Sequence, residues 1–380
     1  MTILSLISSE GHYGVENMLV TLDRSLSRRG CRCIVGVFDD SRFPHKEVAQ
    51  RAECQGLPVE IIPCRGRLDY RAVKHIRKLI AHHDVDVLHP HGYKADLYAY
   101  AANRPGRVPL VATVHNWPSR LPSMRLYAAL DRLVLRRFDK VAAVSDPAAR
   151  ILARWGVAGD KLCTILNAVD IERYRNATPT LSSEIGQACH ALVGFVGRLV
   201  PSKGGSSLLR AAQRVLSRNP EVTFVLVGDG PSRKDWETLA AELGISGRVR
   251  FTGTRNDMPG VYASLDVVVL PSEIESMPMC VLEAMAAGKP VIATPVGAVP
   301  QLVASEETGL LVETGSVDAL ANAILRLVDD RDFARQLGEN GYQRAAKQFS
   351  ADTMAESYLS LYRQLFKSPI ATAPLANVNE

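Results

Sequence analysis

Short apolar runs rich in β-branched residues alternate with amphipathic stretches along most of the chain, and this alternation constrains the fold most. In the first half the runs predict strands at 3–8, 31–38, 59–62, 85–88, 108–114, 140–144 and 162–166. In the second half they predict strands at 192–196, 223–227, 249–251, 267–270, 291–293 and 309–312. A strand–helix alternation that occurs twice predicts two doubly wound α/β domains with parallel sheets.

The length of the chain also indicates two domains. A chain of 380 residues is too long for one ordinary hydrophobic core. We place the first domain at 1–175 and the second at 190–350, because the polar stretch 176–189 lacks periodicity and is typical of a linker. The last periodic stretch, 351–366, predicts a helix, and 368–380, with two prolines and few apolar anchors, predicts a flexible tail.

The net charge of +5 is unevenly distributed. Residues 1–180 hold 27 Lys and Arg against 18 Asp and Glu, a balance of +9, and residues 181–380 hold 18 against 22, a balance of −4. A basic first half predicts an anionic partner, for which a phospholipid surface, a lipid diphosphate and a nucleic acid all qualify.

The cysteine pattern and the apolar runs indicate a cytoplasmic protein. Seven cysteines is an odd number and none form a C-x-x-C pair, which favours reduced thiols over a disulfide framework or a zinc site. No apolar run approaches the ~18 residues that a membrane span requires. The N-terminus has no basic region before its apolar part, so we interpret it as a strand and not as a signal peptide.

The stretch 267–293, VVVLPSEIESMPMCVLEAMAAGKPVIA, is the most informative about function. It predicts a strand, a polar loop, a helix with Pro278 at its first position and Gly288 at its end, and a further strand. Two carboxylates, Glu275 in the loop and Glu283 in the helix, are eight residues apart. A helix N-terminus above strand ends suits a phosphate, whereas carboxylates suit neutral hydroxyl groups. The pattern therefore predicts a ligand with a diphosphate flanked by sugars.

Two glycine-rich turns follow other strands of the second domain. In GFVGRLVPSKGG, Gly197 permits a tight turn, and Arg198 and Lys203 lie in the strand-to-helix loop, where a diphosphate would bind. The alternative for that loop is a solvated basic cap on the next helix. In VLVGDGP, Gly228 belongs to a turn common in α/β proteins, and Asp229 either lies near a ligand or caps the following helix.

Three positions of the first domain fall where strands end. Gly14 follows the first strand and either brings backbone N–H groups near a ligand or only forms a tight turn. The loop does not read G-x-G-x-x-G, which argues against a nicotinamide site. His115 and His91 each end a strand, and we expect them to face a crevice. His89 and His91 form an H-x-H pair without further ligands at useful spacing, so no metal is expected.

The stretch 119–140 is basic and amphipathic. One interpretation is a helix packed on the core with a solvated basic face. The other is docking on an anionic membrane surface near a lipid-borne acceptor. We expect no nucleic acid, because no aromatic residues are interleaved with the basic ones.

Five ordered motifs resemble glycosyltransferase family 4, the retaining nucleotide-sugar transferases with the GT-B fold. They are GRLVPSKGG, VGDGP, ILNAVDIERY, TGLLV and ESMPMCVLEAMAAGKPVIAT, which contains Glu275 and Glu283. The resemblance covers nearly the whole chain and is strongest over 190–345. It implies two Rossmann-like domains that face a central cleft, with an acceptor-binding first domain, a donor-binding second domain and a final helix, 351–366, that returns to the first domain.

The resemblance also implies a role for each matching residue. Arg198 and Lys203 would hold the donor diphosphate, and Glu283 would accept hydrogen bonds from the ribose. Glu275 would contact the transferred sugar, which His115 would reach from the other domain. The residues implied to act in the reaction are Glu275, His115, Arg198 and Lys203. Those implied to bind the donor are Gly14, Gly197, Arg198, Lys203, Gly228, Met277, Pro278, Met279 and Glu283.

This sequence departs from the family pattern at three places. Many members have Gly-Phe-Gly where Ser276-Met277-Pro278 stands here, and Pro278 has no N–H to donate. Residues 296–301 have Ala and Gln where Gly and Glu are frequent, and the first-domain loop lacks the common double glycine. These departures bear on the identity of the sugar and the acceptor and not on the type of reaction.

The sequence therefore predicts a metal-independent, retaining transferase that uses a UDP- or GDP-sugar and no cofactor. Its acceptor would be a carbohydrate or a lipid-linked hydroxyl in cell-surface polysaccharide, lipopolysaccharide or lipid-linked oligosaccharide synthesis, at the inner face of the cell membrane. The alternatives are a nucleotide-sugar 2-epimerase, which would convert its donor without an acceptor, and a non-catalytic subunit, which would have no evident need of Arg198, Lys203, Glu275 and Glu283.

Overall fold

The computed structural model describes residues 1–8, 14–40, 47–66, 69–103, 108–115, 122–181 and 191–367, with residues 122–126 and 367 described by their backbone only. The chain divides into two compact units. The first unit comprises Met1–Ala143, Ile151–Ile165 and Ala355–Glu380, and the second comprises Val144–Arg150 and Leu166–Met354. The predicted tail, 368–380, and residues 182–189 of the predicted linker lie outside the described residues.

The first unit is built on a seven-stranded parallel sheet in the order β3-β2-β1-β4-β5-β6-β7. Its strands are β1 (Thr2–Ile7), β2 (Arg32–Asp40), β3 (Val59–Cys64), β4 (Val87–His91), β5 (Val111–Val114), β6 (Lys140–Ala143) and β7 (Leu162–Thr164). The helices between them are α1 (Gly14–Arg28), α2 (Glu47–Cys54), α3 (Tyr70–His82), α4 (Tyr93–Ala102) and α5 (Pro122–Leu135). Helix α6 (Asp146–Arg154) follows β6, and only its part from Ile151 belongs to the first unit. The central strands are buried on both faces, which explains their continuous apolar runs.

The second unit is built on a six-stranded parallel sheet in the order β10-β9-β8-β11-β12-β13. Its strands are β8 (Ala191–Val196), β9 (Val222–Val227), β10 (Val249–Gly253), β11 (Val267–Leu270), β12 (Val291–Ala293) and β13 (Gly309–Leu311). Its helices include α7 (Ile171–Arg175), α8 (Gly205–Arg218), α9 (Arg233–Glu242), α10 (Met258–Ser264), α11 (Met279–Ala286), α12 (Val299–Leu302), α13 (Val317–Asp329) and α14 (Arg331–Gln348). Short 3-10 helices lie at Pro201–Lys203 and Ser246–Arg248. The predicted pair of doubly wound parallel sheets is confirmed.

The last helix, α15 (Ala351–Lys367), packs through two tyrosines on the sheet of the first unit. The Tyr358 hydroxyl lies 2.7 Å from Thr113 Oγ1, and the Tyr362 hydroxyl lies 2.7 Å from His89 Nδ1. Both tyrosines are buried, so from Ala355 onwards this helix is part of the core of the first unit.

Several boundaries differ from those drawn on the sequence, and two of them have a clear physical reason. Residues 166–175, which the sequence placed in the first domain, belong to the second unit, because α7 buries Tyr174 in the core of that unit. Strand β4 begins at Val87 and not at residue 85. Asp84 has a φ of 48° and the Val85 N–H donates to Ile80 O, so the residues before Val87 form the turn after α3.

Candidate functional site

The carboxyl edge of the second sheet contains a topological switch point between β8 and β11. The chain leaves β8 towards β9 and β10 on one side and continues with β11, β12 and β13 on the other. In doubly wound sheets the crevice outside the strand ends at such a point is where ligands bind. Most of the predicted donor-binding residues belong to the loops that follow β8, β9 and β11.

Backbone hydrogen bonds connect these loops to each other. The Gly197 N–H donates to Val227 O over 3.0 Å, and the Leu199 N–H donates to Asp229 O over 2.9 Å. The Glu273 N–H donates to Ser202 O over 2.8 Å. The loops therefore form one hydrogen-bonded surface and not separate mobile turns.

Two glycines of this surface allow a close approach that no other residue permits. Gly228 has a φ of 129°, and a Cβ at its position would lie 2.0 Å from Gly197 O. Gly204 has a φ of 71°, and its Cβ would lie 2.0 Å from Pro271 O. Both positions therefore require glycine for backbone conformation and for space.

Lys203 and Glu275 contact each other directly. Lys203 Nζ lies 2.5 Å from Glu275 Oε1, and the exposed fractions of the two side chains are 23% and 8%. Lys203 is brought there by the Pro201–Lys203 turn, and Glu275 by the loop between β11 and α11. The structure thus pairs two residues to which the resemblance assigns different parts of the ligand.

Glu283 is held by two tyrosines that the sequence analysis did not single out. Its side chain is buried in α11, and Tyr174 and Tyr262 donate their hydroxyls to its two carboxylate oxygens over 2.9 and 2.8 Å. Burial raises the pKa of Tyr262 well above its ordinary value, so this hydroxyl remains a donor. Tyr174 lies in the motif ILNAVDIERY, but nothing in its spacing indicated a partner 109 residues later in the chain.

Three further predicted donor-binding residues, Arg198, Met277 and Pro278, lie in the loops after β8 and β11. Arg198 is exposed at the start of the loop after β8. Met277 is buried, and the backbone N–H of Asn167 lies 3.1 Å from its sulfur. The sequence predicted Pro278 as the first residue of α11, and this was wrong. The helix begins at Met279, because the ψ of 116° at Pro278 is extended and not helical.

Asp229 and Cys280 are further polar groups near this edge. The Asp229 carboxylate accepts from the Gly230 N–H at 2.7 Å and lies 3.2 Å from Arg233 Nη1. Asp229 therefore fixes its own turn, while Ser232 precedes α9. Burial raises the pKa of the Cys280 thiol to about 12, so it is a neutral group beside Lys203 and Glu275.

In the first unit the predicted residues lie at the corresponding switch point, between β1 and β4. His91 ends β4 in register with Ile7 of β1 and Thr113 of β5. Its Nδ1 lies 3.2 Å from Nε2 of His115, which follows β5. Gly14 begins α1, and residues 9–13, which precede it, lie outside the described residues.

His91 and His115 belong to a buried polar cluster. His89 Nε2 lies 2.7 Å from Thr113 Oγ1, and the ring centroids of His89 and His91 are 4.2 Å apart. Burial lowers the pKa of His115 to about 3 and that of His91 well below its ordinary value. These imidazoles are therefore neutral near neutral pH, and act as hydrogen-bonding groups. Within the described ranges no group of three or more His, Cys, Asp or Glu is arranged to hold a metal ion.

Within the predicted basic stretch 119–140, residues 122–135 form α5, 136–139 follow it, and Lys140 begins β6. Val134 and Leu135 are buried against the first unit, whereas 40% of Leu130 and 54% of Leu133 is exposed. Arg132 lies over the Trp155 ring at 4.0 Å. The helix therefore combines a packed face with an exposed apolar and basic face. Packing on the core, the first interpretation of this stretch, leaves that exposed face available for the second, docking on an anionic membrane surface. Arg120 and the Arg125 side chain lie outside the described part, in which no helix is long and apolar enough to span a bilayer.

Comparison with known protein families gives two matches. Residues 13–173 match the family described as Glycosyltransferase Family 4, and residues 189–344 match that described as Glycosyl transferases group 1. Together the two matches include every predicted site residue.

Individual relatives support the same assignment. The chain is 30% identical over 300 residues to a D-inositol 3-phosphate glycosyltransferase of Corynebacterium glutamicum (strain R), covering 73% of this chain and 72% of that protein. It is 29% identical over 276 residues to the UDP-Gal:alpha-D-GlcNAc-diphosphoundecaprenol alpha-1,3-galactosyltransferase of Escherichia coli, covering 69% and 71%. The crystal structure of HepE of Anabaena in complex with UDP-glucose superposes with a TM-score of 0.82 and 26% identity, covering 96% of this chain and 100% of that one.

Proposed function

Because this chain belongs to glycosyltransferase family 4 and is a glycosyltransferase of the GT-B fold, we propose that it transfers a sugar from a nucleoside diphosphate sugar to an acceptor hydroxyl with retention of configuration. The observation that carries the proposal is the grouping of Lys203, Glu275 and Glu283 at the switch point of the second sheet. A cation and two carboxylates there match a ligand that is anionic at its centre and rich in hydroxyls at both ends.

The second unit offers positive groups for a diphosphate. The backbone N–H groups at the start of α8 follow directly on Lys203, and Gly204 provides no side-chain cap for them. Arg198 adds a guanidinium, which can bind phosphate oxygens in a bidentate manner. A helix N-terminus together with Lys203 and Arg198 would stabilise a diphosphate without a metal ion.

We infer that these groups act on the leaving group. As the bond between the anomeric carbon and the phosphate oxygen breaks, negative charge grows on the diphosphate, and fixed positive groups stabilise it. The acceptor oxygen forms the new bond on the same face of the sugar, and its proton passes to the leaving phosphate oxygen. Glu275 would bind hydroxyls of the transferred sugar and hold it in the reactive orientation. The neutral His115 would act as a hydrogen-bonding group in the reaction, as the resemblance implies.

The comparisons support a nucleotide-sugar donor. HepE was crystallised with UDP-glucose, and the Escherichia coli relative is named for UDP-Gal. The same relative is named for a diphosphoundecaprenol acceptor, and this suggests that the present enzyme also works on a lipid-linked or cell-surface carbohydrate, at the cytoplasmic face of a membrane.

A donor screen tests the proposal. We expect one or more of UDP-glucose, UDP-galactose, UDP-N-acetylglucosamine and GDP-mannose to raise the unfolding temperature by mass action. That donor should then release its nucleotide faster when polyprenol-linked or free sugar acceptors are added, and NMR of the product should show the anomeric configuration of the donor. EDTA should leave the rate unchanged. Epimerised donor in the absence of acceptor, or binding without turnover, would contradict the proposal.

Substitutions of Arg198 and Glu275 test whether the reaction depends on these residues of the second unit. Arg198→Ala and Glu275→Ala should each lower kcat strongly, by roughly 100-fold if the lost group acts mainly in the transition state, with an unchanged circular dichroism spectrum. Arg335→Ala is a matched control, because Arg335 forms an exposed ion pair with Asp332 on α14 and belongs to none of the loops described above. A parent rate in either of the first two variants would show that the site is assigned incorrectly.

A further inference from the structure

The carboxylate of Glu283 is held in a fixed orientation by its two tyrosine partners. Tyr174 donates to Oε1 over 2.9 Å and Tyr262 donates to Oε2 over 2.8 Å. The exposed fraction is 7% for Glu283, 5% for Tyr174 and 0% for Tyr262. The tyrosine rings also pack edge to face, with centroids 5.7 Å apart. Each carboxylate oxygen therefore has its own donor, and rotation of the carboxylate would break both hydrogen bonds.

The three residues come from three separate helices of the second unit. Tyr174 lies in α7, Tyr262 in α10 and Glu283 in α11. Because α7 and α10 pack against α11, the positions of both hydroxyls are set by the core of the unit and not by the loop that carries Glu275. A hydroxyl that donates to a buried carboxylate makes a stronger hydrogen bond than one between neutral groups.

We propose that Tyr174 and Tyr262 are positioning residues that make Glu283 selective for a nucleotide with an intact ribose. This inference rests on the proposed function and on the ribose contact that the family resemblance implies for Glu283. A carboxylate has about four acceptor positions, of which the tyrosine hydroxyls use one on each oxygen. Held in this way, the carboxylate presents one oxygen to each of two neighbouring ribose hydroxyls.

The orientation of the carboxylate determines what the loss of one ribose hydroxyl costs. A carboxylate that can rotate will turn towards the single remaining hydroxyl and recover part of the lost interaction. A carboxylate fixed by two tyrosines cannot turn, so an oxygen that loses its ribose hydroxyl stays buried without that partner. The tyrosine hydroxyls therefore add discrimination against 2'-deoxyribose and 3'-deoxyribose beyond what Glu283 alone provides.

The test measures this discrimination by calorimetry. UDP, GDP and ADP are titrated into the parent protein, and the nucleotide that binds most tightly is compared with its 2'-deoxy and 3'-deoxy forms. Tyr174→Phe and Tyr262→Phe should each lower the ratio of affinities, ribose over deoxyribose, by roughly 3- to 10-fold for at least one deoxy form. The double variant should bring the ratios down to the smaller value that Glu283 provides alone, and Glu283→Gln should lower them further.

Tyr358→Phe is the matched control. It also removes a buried tyrosine hydroxyl, but one that contacts Thr113 in the first unit, so it should leave the ratios at the parent value. Circular dichroism and thermal unfolding check that each variant is folded. Because the readout is a ratio within one variant, a general loss of stability does not change it.

Each outcome separates this inference from the proposed function. If the tyrosine variants bind the ribose and deoxyribose forms more weakly by the same factor, the hydroxyls only support the fold and the inference is wrong. If Glu283→Gln retains the parent discrimination while the parent still transfers sugar, the inference fails and the proposed function stands. If the parent binds none of UDP, GDP and ADP, the proposed function itself fails.

Discussion

At the scale of single residues, Lys203 and Glu275 form an ion pair, and both residues belong to the proposed donor site. The pair is partly buried, and Lys203 Nζ lies 2.5 Å from Glu275 Oε1. The ammonium group is therefore next to the carboxylate that we expect to contact sugar hydroxyls. Each group holds the other in position, and on the proposed function the lysine would screen the donor diphosphate from the carboxylate. The two residues should therefore act as one unit and not as two independent contacts.

A double-mutant cycle on kcat measures this dependence. Lys203→Met and Glu275→Gln should each lower kcat by roughly 100-fold, and the double variant should lose much less than the product of the two, because residues that act as a unit are not additive. Losses that multiply would show that the residues work separately. Arg326→Met, which removes an exposed ion pair with Glu306, should leave kcat unchanged.

The neutral state of His115 predicts a pH dependence. Burial lowers its pKa to about 3, so the imidazole gains a charge only below that value and is neutral throughout an ordinary assay range. His115→Asn should lower kcat/KM by roughly 10-fold, the value of one hydrogen bond in the transition state. The ratio of parent to variant should be the same at every pH between 5 and 8. A step in that ratio near pH 6.5 would show that the charged form takes part.

At the scale of secondary-structure elements, α5 has two distinct faces. One is fixed to the core of the first unit by Val134 and Leu135, and the other exposes Leu130 and Leu133. Arg132 and Arg136 are both held by Trp155, the first over its ring and the second at its carbonyl oxygen. This face combines apolar side chains with positive charge, as interfacial helices do.

Vesicle binding tests whether this face meets a membrane. The protein should sediment with phosphatidylglycerol vesicles and not with phosphatidylcholine vesicles, and 0.5 M salt should release it, because about 1 kcal/mol per basic residue comes from surface charge. Leu133→Glu should weaken sedimentation. Phe366→Glu on α15 is the control, since 53% of Phe366 is exposed, nearly the same fraction as for Leu133. If both variants lost the same fraction of vesicle binding, α5 would not be the element that docks on the membrane.

At the scale of the whole molecule, each unit has its own sheet and its own buried core, and polar groups inside those cores respond to pH. Asp23 of α1 is fully buried against β1, where the Ser5 hydroxyl donates to Oδ1 over 3.0 Å. Burial raises its pKa from 3.8 to about 7. The native state therefore binds the proton more tightly than the unfolded state, and its protonated form stabilises the fold.

The raised pKa of Asp23 predicts that the free energy of unfolding falls as the pH rises. The stabilisation is complete below the unfolded pKa of 3.8 and is lost as the pH rises towards about 7. Relative to Asp23→Asn, which does not titrate, the parent should lose up to about 1.4 kcal/mol of unfolding free energy per pH unit over that interval. Urea unfolding at pH 5 and pH 8 measures the change. The same difference between parent and variant at both pH values would show that Asp23 is not the titrating group.

Local sequence patterns were sufficient to predict the two parallel sheets and the loops that follow β8, β9 and β11. Alternating apolar runs, glycines at tight turns and the spacing of Glu275 and Glu283 are properties of nearby residues, and they determine local conformation. The same patterns placed Pro278 inside the helix that it precedes, because its φ of −73° suits either position and only ψ distinguishes them.

Contacts between distant segments could be decided only by the tertiary structure. Tyr174 and Glu283 are 109 residues apart, and Lys203 and Glu275 are 72 apart. Likewise, α7 joins the second unit because Tyr174 is buried there, although its sequence continues from the first. The sequence by itself determined the class of fold and the kinds of group at the strand ends. Which of those groups touch was decided by packing, because burial and hydrogen-bond geometry depend on elements that local periodicity does not bring together.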